Sequence, residues 1–330
     1  MYVTVFLNRC REDLKKIAVL TRDCAGVNAT IRSIVRTAFK YNVEVVGVKR
    51  GYAGLIENDF IKLSRTSVSG IINQGGTILK TSRCKRFYNE KAQQKAVDNI
   101  HKNQIDGLIV VGGDGSLTAA YILSNKYDIP LVGIPATIDN DISNVDISIG
   151  ADTAVNVALD ALDKIRDTAT SLERIFIVEV MGRSCGYIAI EVGLAGGCEE
   201  VLIPELDSNI DVICKEIIKG NKIGKASWII IVAEGKAHAS DIADKIIKKT
   251  GLETRVAVLG HIQRGGRPTA NDRILGAQLG NYAVELLIKG LKGICVCIKN
   301  YKPTYISLNE AIKPKKIDVY NKYKLIKILT

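Results

Sequence analysis

Short apolar, β-branched runs recur along the chain, and between them lie segments whose apolar positions return every three or four residues. The runs are Ile17–Leu20, Val43–Val48, Leu108–Val111, Leu131–Ile134, Ile175–Val180, Val201–Ile203, Trp228–Ala233 and Val256–Leu259. Mostly apolar character over so short a length reads as a buried parallel strand. The intervening segments include Asn28–Lys40, Glu90–Lys102, Ala151–Thr168 and Ile210–Lys219. In the third, Val155, Ala158, Leu159, Leu162 and Ile165 keep helical spacing, which leaves Asp160, Asp163 and Lys164 on a solvated face. Strand and helix alternating in this way predict an α/β fold with doubly wound, mostly parallel sheets. Lys313–Thr330, basic and apolar by turns, reads as a terminal element packed onto the body.

Two polar turns stand out at the ends of such runs. Gly112-Gly113-Asp114-Gly115-Ser116 follows Leu108–Val111, and Thr137-Ile138-Asp139-Asn140-Asp141 follows Leu131–Ile134. Polar turns at the carboxyl ends of parallel strands occupy the place where open α/β sheets bind ligands. Glycines let backbone N–H groups turn inward as an anion nest, and carboxylates can hold Mg²⁺. Together they suit phosphoryl transfer. The bland alternative is a pair of ordinary turns capping the helices that follow.

With 330 residues and 47% hydrophobic content, the chain has enough material for two globular domains. Its eight cysteines show no Cys-x-x-Cys spacing and it has only three histidines, which argues against zinc and for reduced thiols. A net charge of +11 raises nucleic acid or a membrane surface as partners. The lysines are dispersed and aromatics make up only 5%, so no base-stacking platform is legible and neither partner is expected. Met1–Arg9 holds too short an apolar run for a signal peptide, and no stretch reaches transmembrane length. A cytoplasmic protein is the expectation.

Three further constellations point to phosphate. Gly75-Gly76-Thr77 leads into Arg83, with Arg86 close behind; Glu179-Val180-Met181-Gly182-Arg183 ends one strand; Gly260-His261-Ile262-Gln263-Arg264-Gly265-Gly266 ends another, with Arg255 just before it. Arginine and histidine on glycine turns suit multidentate capture of phosphate. With the two acidic turns and Ala195-Gly196-Gly197-Cys198-Glu199, these segments resemble the bacterial-type, ATP-dependent 6-phosphofructokinases from about Lys16 to about Tyr301.

That resemblance implies two doubly wound domains: residues 1–150 plus 263–313 for ATP, and residues 151–262 plus 314–330 for fructose 6-phosphate. It implies transfer of the γ-phosphoryl group of MgATP to the sugar's 1-hydroxyl, giving fructose 1,6-bisphosphate and ADP in glycolysis. Asp139 matches the catalytic base, Arg83 the residue that neutralises charge on the transferring group, and Thr137 the residue beside that group. Asp114 and Asp141 match carboxylates around Mg²⁺. Arg83, Cys84 and Gly112, Gly113, Asp114, Gly115 and Ser116 would line the nucleotide. Besides Thr137 and Asp139, the sugar phosphate would meet Met181, Gly182, Arg183, Glu234, His261 and Arg264. Arg174 and Arg255 match residues lent by a neighbouring subunit, which implies a homotetramer. Arg32, Arg36, Arg166, Glu199 and Lys225 match a site for an ADP or phosphoenolpyruvate effector, where Ile223 replaces a further lysine. Pyrophosphate-using relatives carry an aspartate at the position of Gly115 and a lysine at that of Ala136, so the donor reads as ATP.

The chain departs from the pattern at Thr21-Arg22-Asp23-Cys24-Ala25-Gly26-Val27-Asn28, two residues shorter than the resemblance leads one to expect. Two extended residues span up to about 7 Å, far beyond the tolerance of a hydrogen bond near about 2.9 Å. The departure motivates an alternative, a catalytically impaired sugar-phosphate-binding or regulatory protein on the same fold. A kinase of similar glycine turn acting on another acceptor, such as NAD, is opposed by Met181–Arg183 and His261–Gly266.

Overall fold

The computed structural model describes residues 14–315 and 317–330, so the expectation about Met1–Arg9 lies outside the described residues. The strands are β1 (Lys16–Thr21), β2 (Glu44–Val48), β3 (Phe60–Leu63), β4 (Gly107–Gly112), β5 (Leu131–Pro135), β6 (Ile175–Val180), β7 (Glu200–Leu202), β8 (Trp228–Ala233), β9 (Thr254–Val258), β10 (Ile294–Lys299) and β11 (Lys302–Ser307). Every apolar run singled out in the sequence forms one of them, within one or two residues at the ends. β3, β10 and β11 were not predicted. Lys62 interrupts β3, and β11 is a polar edge strand, so neither shows an apolar run. β10 and β11 pair antiparallel around Asn300-Tyr301, both with positive φ (51° and 61°), as a two-residue hairpin turn requires.

The chain divides into two compact units. The first takes the described residues up to Thr137, then Asp141–Gly150 and Gly266–Lys315. The second takes Ile138–Asn140, Ala151–Gly265 and the described residues from 317 onward.

In the first unit a seven-stranded sheet runs β11-β10-β5-β4-β1-β2-β3, parallel except where β11 and β3 pair antiparallel at its edges. Leu20, Val48, Leu108, Val110, Leu117, Leu123 and Leu131 belong to its core, all at 0% exposure. The second unit carries a fully parallel four-stranded sheet, β7-β8-β6-β9. Ile177, Ile217, Ile230, Val232 and Ile246 form the centre of its core. In the Ala151–Ser171 helix, Ala158 and Leu162 are fully buried, while Asp160 and Lys164 are exposed and paired with each other. The sequence expected that division of the helix.

The terminal segment does pack as an element. In the Tyr320–Leu329 helix, Tyr323 Oη donates to Glu200 Oε1 at 2.9 Å, and Lys327 Nζ reaches Glu200 at 3.1 Å and Glu216 at 3.0 Å. Among the described residues no helix is long and apolar enough to cross a membrane.

Candidate active site

In the first unit, β1 and β4 are neighbours, and the chain winds from β1 toward β2 and from β4 toward β5, in opposite directions across the sheet. Their carboxyl ends therefore form the switch point where ligands of doubly wound sheets bind. Gly112 closes β4, and Gly113 caps the Asp114–Tyr127 helix with no side-chain capping hydrogen bond. The N–H groups and dipole at such a helix start favour an anion. The turn tolerates no bulk on its inner side: a Cβ at Gly112 would lie 2.7 Å from Ser116 Cβ, and one at Gly113 would lie 3.2 Å from Thr137 Cβ. Thr137 is thereby placed against the nest. Gly115 differs, since a Cβ there would have no heavy atom within 4 Å. Asp114 is exposed in the first helical turn, and Asp141 is half-buried beside the bridge between Ile142 and Pro314.

Arg83 and Cys84 precede the short helical turn Lys85–Tyr88. They border a cavity of about 520 Å³, together with Arg50, Glu57, Ser82 and Arg86. Glu57 takes a 2.8 Å ion pair from Arg50 and a second from Arg86. The hydrogen bond from Arg86 holds the Glu57 carboxyl below the usual carboxylate range. Arg83, by contrast, is exposed, and no hydrogen bond or ion pair engages it among the described residues. Cys84 is half-buried, whereas the other six described cysteines are buried. Burial pushes the Cys198 thiol up to about 12 and the Cys297 thiol up to about 11, as expected of inert core thiols.

In the second unit the carboxyl ends of β6, β8 and β9 lie at one edge of the sheet and bring another group together. Gly182 (φ 145°) and Arg183 (φ 52°) turn the chain back after β6. Glu234, which follows β8, accepts from Arg183 N–H at 2.9 Å and from Gly182 N–H at 3.3 Å. Buried Gln263 accepts from Met181 N–H at 3.3 Å and donates to the Gly260 carbonyl at 3.1 Å. It thus fixes the turn carrying exposed His261 and half-buried Arg264 beside Met181. Arg183 Nε lies 3.6 Å from Asp139 Oδ2, and the Asp139 carbonyl accepts from Cys185 Sγ at 2.9 Å. Asp139 itself is 3% exposed, so its carboxylate is held in place rather than swinging in solvent.

Arg174 and Arg255 do not join this group. They stand at the amino ends of β6 and β9, one strand length, about 20 Å, from Met181. Both pair with Glu253, Arg174 Nε at 3.0 Å. Arg32 and Arg36 lie half-buried on the Val27–Lys40 helix of the first unit. In the second unit Arg166 donates to the Gly196 and Gly197 carbonyls, and Lys225 sits 3.2 Å from Glu199, whose other oxygen accepts from Ile229 N–H at 2.7 Å. Ile223, two residues before Lys225, is 79% exposed.

Sequence reasoning left two residues without a role. Gln263 is the brace between the Met181 turn and the Gly260–Arg264 turn; a glutamine between His261 and Arg264 at a strand end was the available signal. Gly235 carried none: a Cβ there would lie 1.6 Å from the Arg183 carbonyl oxygen. Among the described residues no group of three or more His, Cys, Asp or Glu side chains could hold a metal ion. Mg²⁺ bound with phosphates needs only one or two carboxylates, so Asp114 and Asp141 fit that lesser requirement.

A nest at a switch point, with basic turns at parallel strand ends, defines a phosphoryl-transfer protein of the doubly wound class. The phosphofructokinase family model matches residues 16–287, and the chain belongs to the phosphofructokinase family. It is 47% identical to the ATP-dependent 6-phosphofructokinase of Halothermothrix orenii, over 96% of this chain and 100% of that protein. It is 48% identical to the enzyme of the same name from Bacillus subtilis, with the same coverage of each chain. Among solved structures, phosphofructokinase from Saccharomyces cerevisiae superposes with a TM-score of 0.86 at 32% identity, over 95% of this chain and 48% of that one. A pyrophosphate-dependent phosphofructokinase from Marinobacter aquaeolei shares the fold, with a TM-score of 0.83 at 23% identity, over 93% of this chain and 86% of that one.

Proposed function

We infer that the protein transfers the γ-phosphoryl group of MgATP to the 1-hydroxyl of fructose 6-phosphate, giving fructose 1,6-bisphosphate and ADP. The observation that carries this is the set at the carboxyl ends of β6, β8 and β9, where Asp139, Met181–Arg183, Glu234 and the His261–Arg264 turn are tied by hydrogen bonds and an ion pair. The first unit serves the donor. Its nest at Gly112–Ser116 binds phosphate oxygens, and Arg83 neutralises charge on the group in flight. Asp114 and Asp141 would hold the Mg²⁺ that arrives with the nucleotide and screens its phosphates. The second unit serves the acceptor: Arg183, His261 and Arg264 face its phosphate and hydroxyls, and Asp139 takes the proton of the attacking hydroxyl. The open position at Gly115 supports ATP, since a carboxylate there would project where nucleotide phosphates must approach.

Arg174 and Arg255, far along the strands from the acceptor group, serve a neighbouring copy in a homotetramer. Arg32, Arg36, Arg166, Glu199 and Lys225 answer to an ADP or phosphoenolpyruvate effector, with a response altered by Ile223. The reaction belongs to glycolysis in the cytoplasm. A coupled assay should give ADP only when fructose 6-phosphate and Mg²⁺ are both present. Binding of the sugar phosphate with no turnover would favour the impaired, regulatory alternative instead.

Gly235 provides a check on the acceptor side. Because an added methyl collides with the Arg183 carbonyl, Gly235→Ala should cost about 1–3 kcal/mol of stability, as overpacking does. It should also weaken fructose 6-phosphate binding by displacing Arg183. Thermal unfolding and calorimetry read the two effects, and wild-type values in both would mean that this close approach has no consequence.

A further inference from the structure

Arg50, Arg83, Lys85 and Arg86 border the cavity of about 520 Å³ in the first unit, and Glu57 is the one carboxylate among the described residues that line it. Arg83 and Lys85 are exposed and take part in no ion pair among the described residues. The other two cations converge on Glu57: Arg50 Nη2 lies 2.8 Å from its Oε2, and Arg86 Nη2 pairs with its Oε1. Arg50 is also held by Asp59 at 3.0 Å, so it keeps an acidic partner whatever becomes of Glu57. Arg86 has no second carboxylate among the described residues; its other neighbour is the Cys84 thiol.

The backbone that carries these groups is fixed by other means. Glu57 ends the Tyr52–Glu57 helix, whose Leu55 and Ile56 carbonyls accept from Asn99 Nδ2 at 2.9 and 3.0 Å. Arg86 lies in the Lys85–Tyr88 turn, anchored by buried Phe87. The Phe87 ring meets that of Tyr52 at 4.4 Å, and its carbonyl accepts from Gln93 Nε2 at 3.0 Å. Arg50 N–H donates to the Leu79 carbonyl at 3.0 Å, and its own carbonyl accepts from Ser82 Oγ at 3.1 Å. The Glu57 ion pairs are exposed, and exposed pairs add little to folding. What Glu57 does change is charge. It removes one positive unit from the cavity and holds the Arg86 guanidinium on itself. A ligand in so small a space lies within about one screening length, about 8 Å in physiological salt, of the groups that border it.

We propose that Glu57 is a specificity-determining residue of the donor site: by neutralising Arg86 it keeps the cavity from holding nucleotide phosphates too tightly, so that ADP leaves after transfer. The assignment rests on the phosphoryl-transfer reading above and adds to it a residue that balances donor binding against product release. ATP and ADP meet the same cations, so a stronger positive field would retain the product along with the donor.

The test is calorimetric titration of ATP, ADP and adenosine into the full chain and into Glu57→Gln, Arg86→Gln and the double variant, with ADP inhibition read from steady-state turnover. Glu57→Gln adds one net positive charge at nearly unchanged side-chain shape. ATP and ADP should then bind about threefold to tenfold more tightly at low ionic strength, and ADP should inhibit at a correspondingly lower concentration. Adenosine, uncharged, should bind as before. In about 0.5 M KCl the gain should vanish, as screening requires. Arg86→Gln should shift both nucleotides the other way. The double variant restores the wild-type net charge and should restore wild-type affinities, a result that follows from charge and not from the ion pair itself. Unchanged or weaker ADP binding in Glu57→Gln, a gain that persists in high salt, or a double variant that binds as Glu57→Gln does, would overturn the assignment. A wild-type protein that binds no nucleotide would instead overturn the kinase reading, so the two failures are distinct.

Discussion

Replacing Asp139 with alanine is expected to lower turnover by about 10²–10⁴-fold, the range a positioned general base contributes. The group has the attributes of a base set in advance. It is 3% exposed, its carbonyl is tied to Cys185, and its Oδ2 lies 3.6 Å from Arg183 Nε. Loss of the carboxylate removes a proton acceptor but leaves Met181, Gly182, Glu234 and the Gln263 brace in place. Fructose 6-phosphate should therefore bind within a few-fold of wild type, as measured by calorimetry. Asp139→Asn, nearly isosteric, should lose as much turnover, because an amide cannot take the proton. A rate that survives either change would remove Asp139 from the chemistry. A parallel loss of sugar-phosphate binding would assign it to positioning Arg183.

Arg83→Ala should have an effect of similar or greater size on the donor side. A guanidinium that meets the transferring phosphoryl group in the transition state contributes about 10³–10⁵-fold in phosphoryl-transfer enzymes. Around the neighbouring cavity, Arg50 and Arg86 are spent on Glu57, while Arg83 is exposed and engaged by no partner among the described residues. That contrast separates a structural arginine from one available to a substrate. The loss should fall on kcat more than on KM for ATP, because charge builds on the γ-phosphoryl oxygens only as the bond breaks. Arg83→Lys should recover little, since an ammonium lacks the fork that spans two oxygens. A change confined to KM would place Arg83 in ground-state binding instead.

Much of the architecture was legible before any coordinate. Most predicted strands are apolar because a parallel strand inside a sheet is covered on both faces, and that burial is recorded directly in composition; β9 is apolar at the sheet edge although Val256 and Val258 are exposed. β3 and β11 escaped notice because edge strands face solvent on one side and carry lysine, proline and threonine. β10 escaped although Ile294–Ile298 is apolar throughout; its partner and the Asn300-Tyr301 turn are what make it a strand of this sheet. The site divides along the same line. Glycine nests, Asp139 and the His261 turn announce themselves because their chemistry needs particular residue types in a short span. Gln263, Gly235 and Arg22 act through contacts with residues 82, 52 and 60 positions away, and no local spacing encodes such a contact.

By itself, then, the sequence determined the alternation of strand and helix, the two acidic turns and the residue types available for phosphate, because these follow from local periodicity and side-chain chemistry. Tertiary structure alone decided that Arg174 and Arg255 sit at the opposite strand ends from Met181 and His261. It also decided that Glu234 and Gln263 hold the Met181–Arg183 turn, and that Arg22 lies across Gly112 toward Arg83. The reason is physical: strand order and register bring distant segments to one sheet edge, and both are set by burial of the whole core rather than by any short stretch of chain.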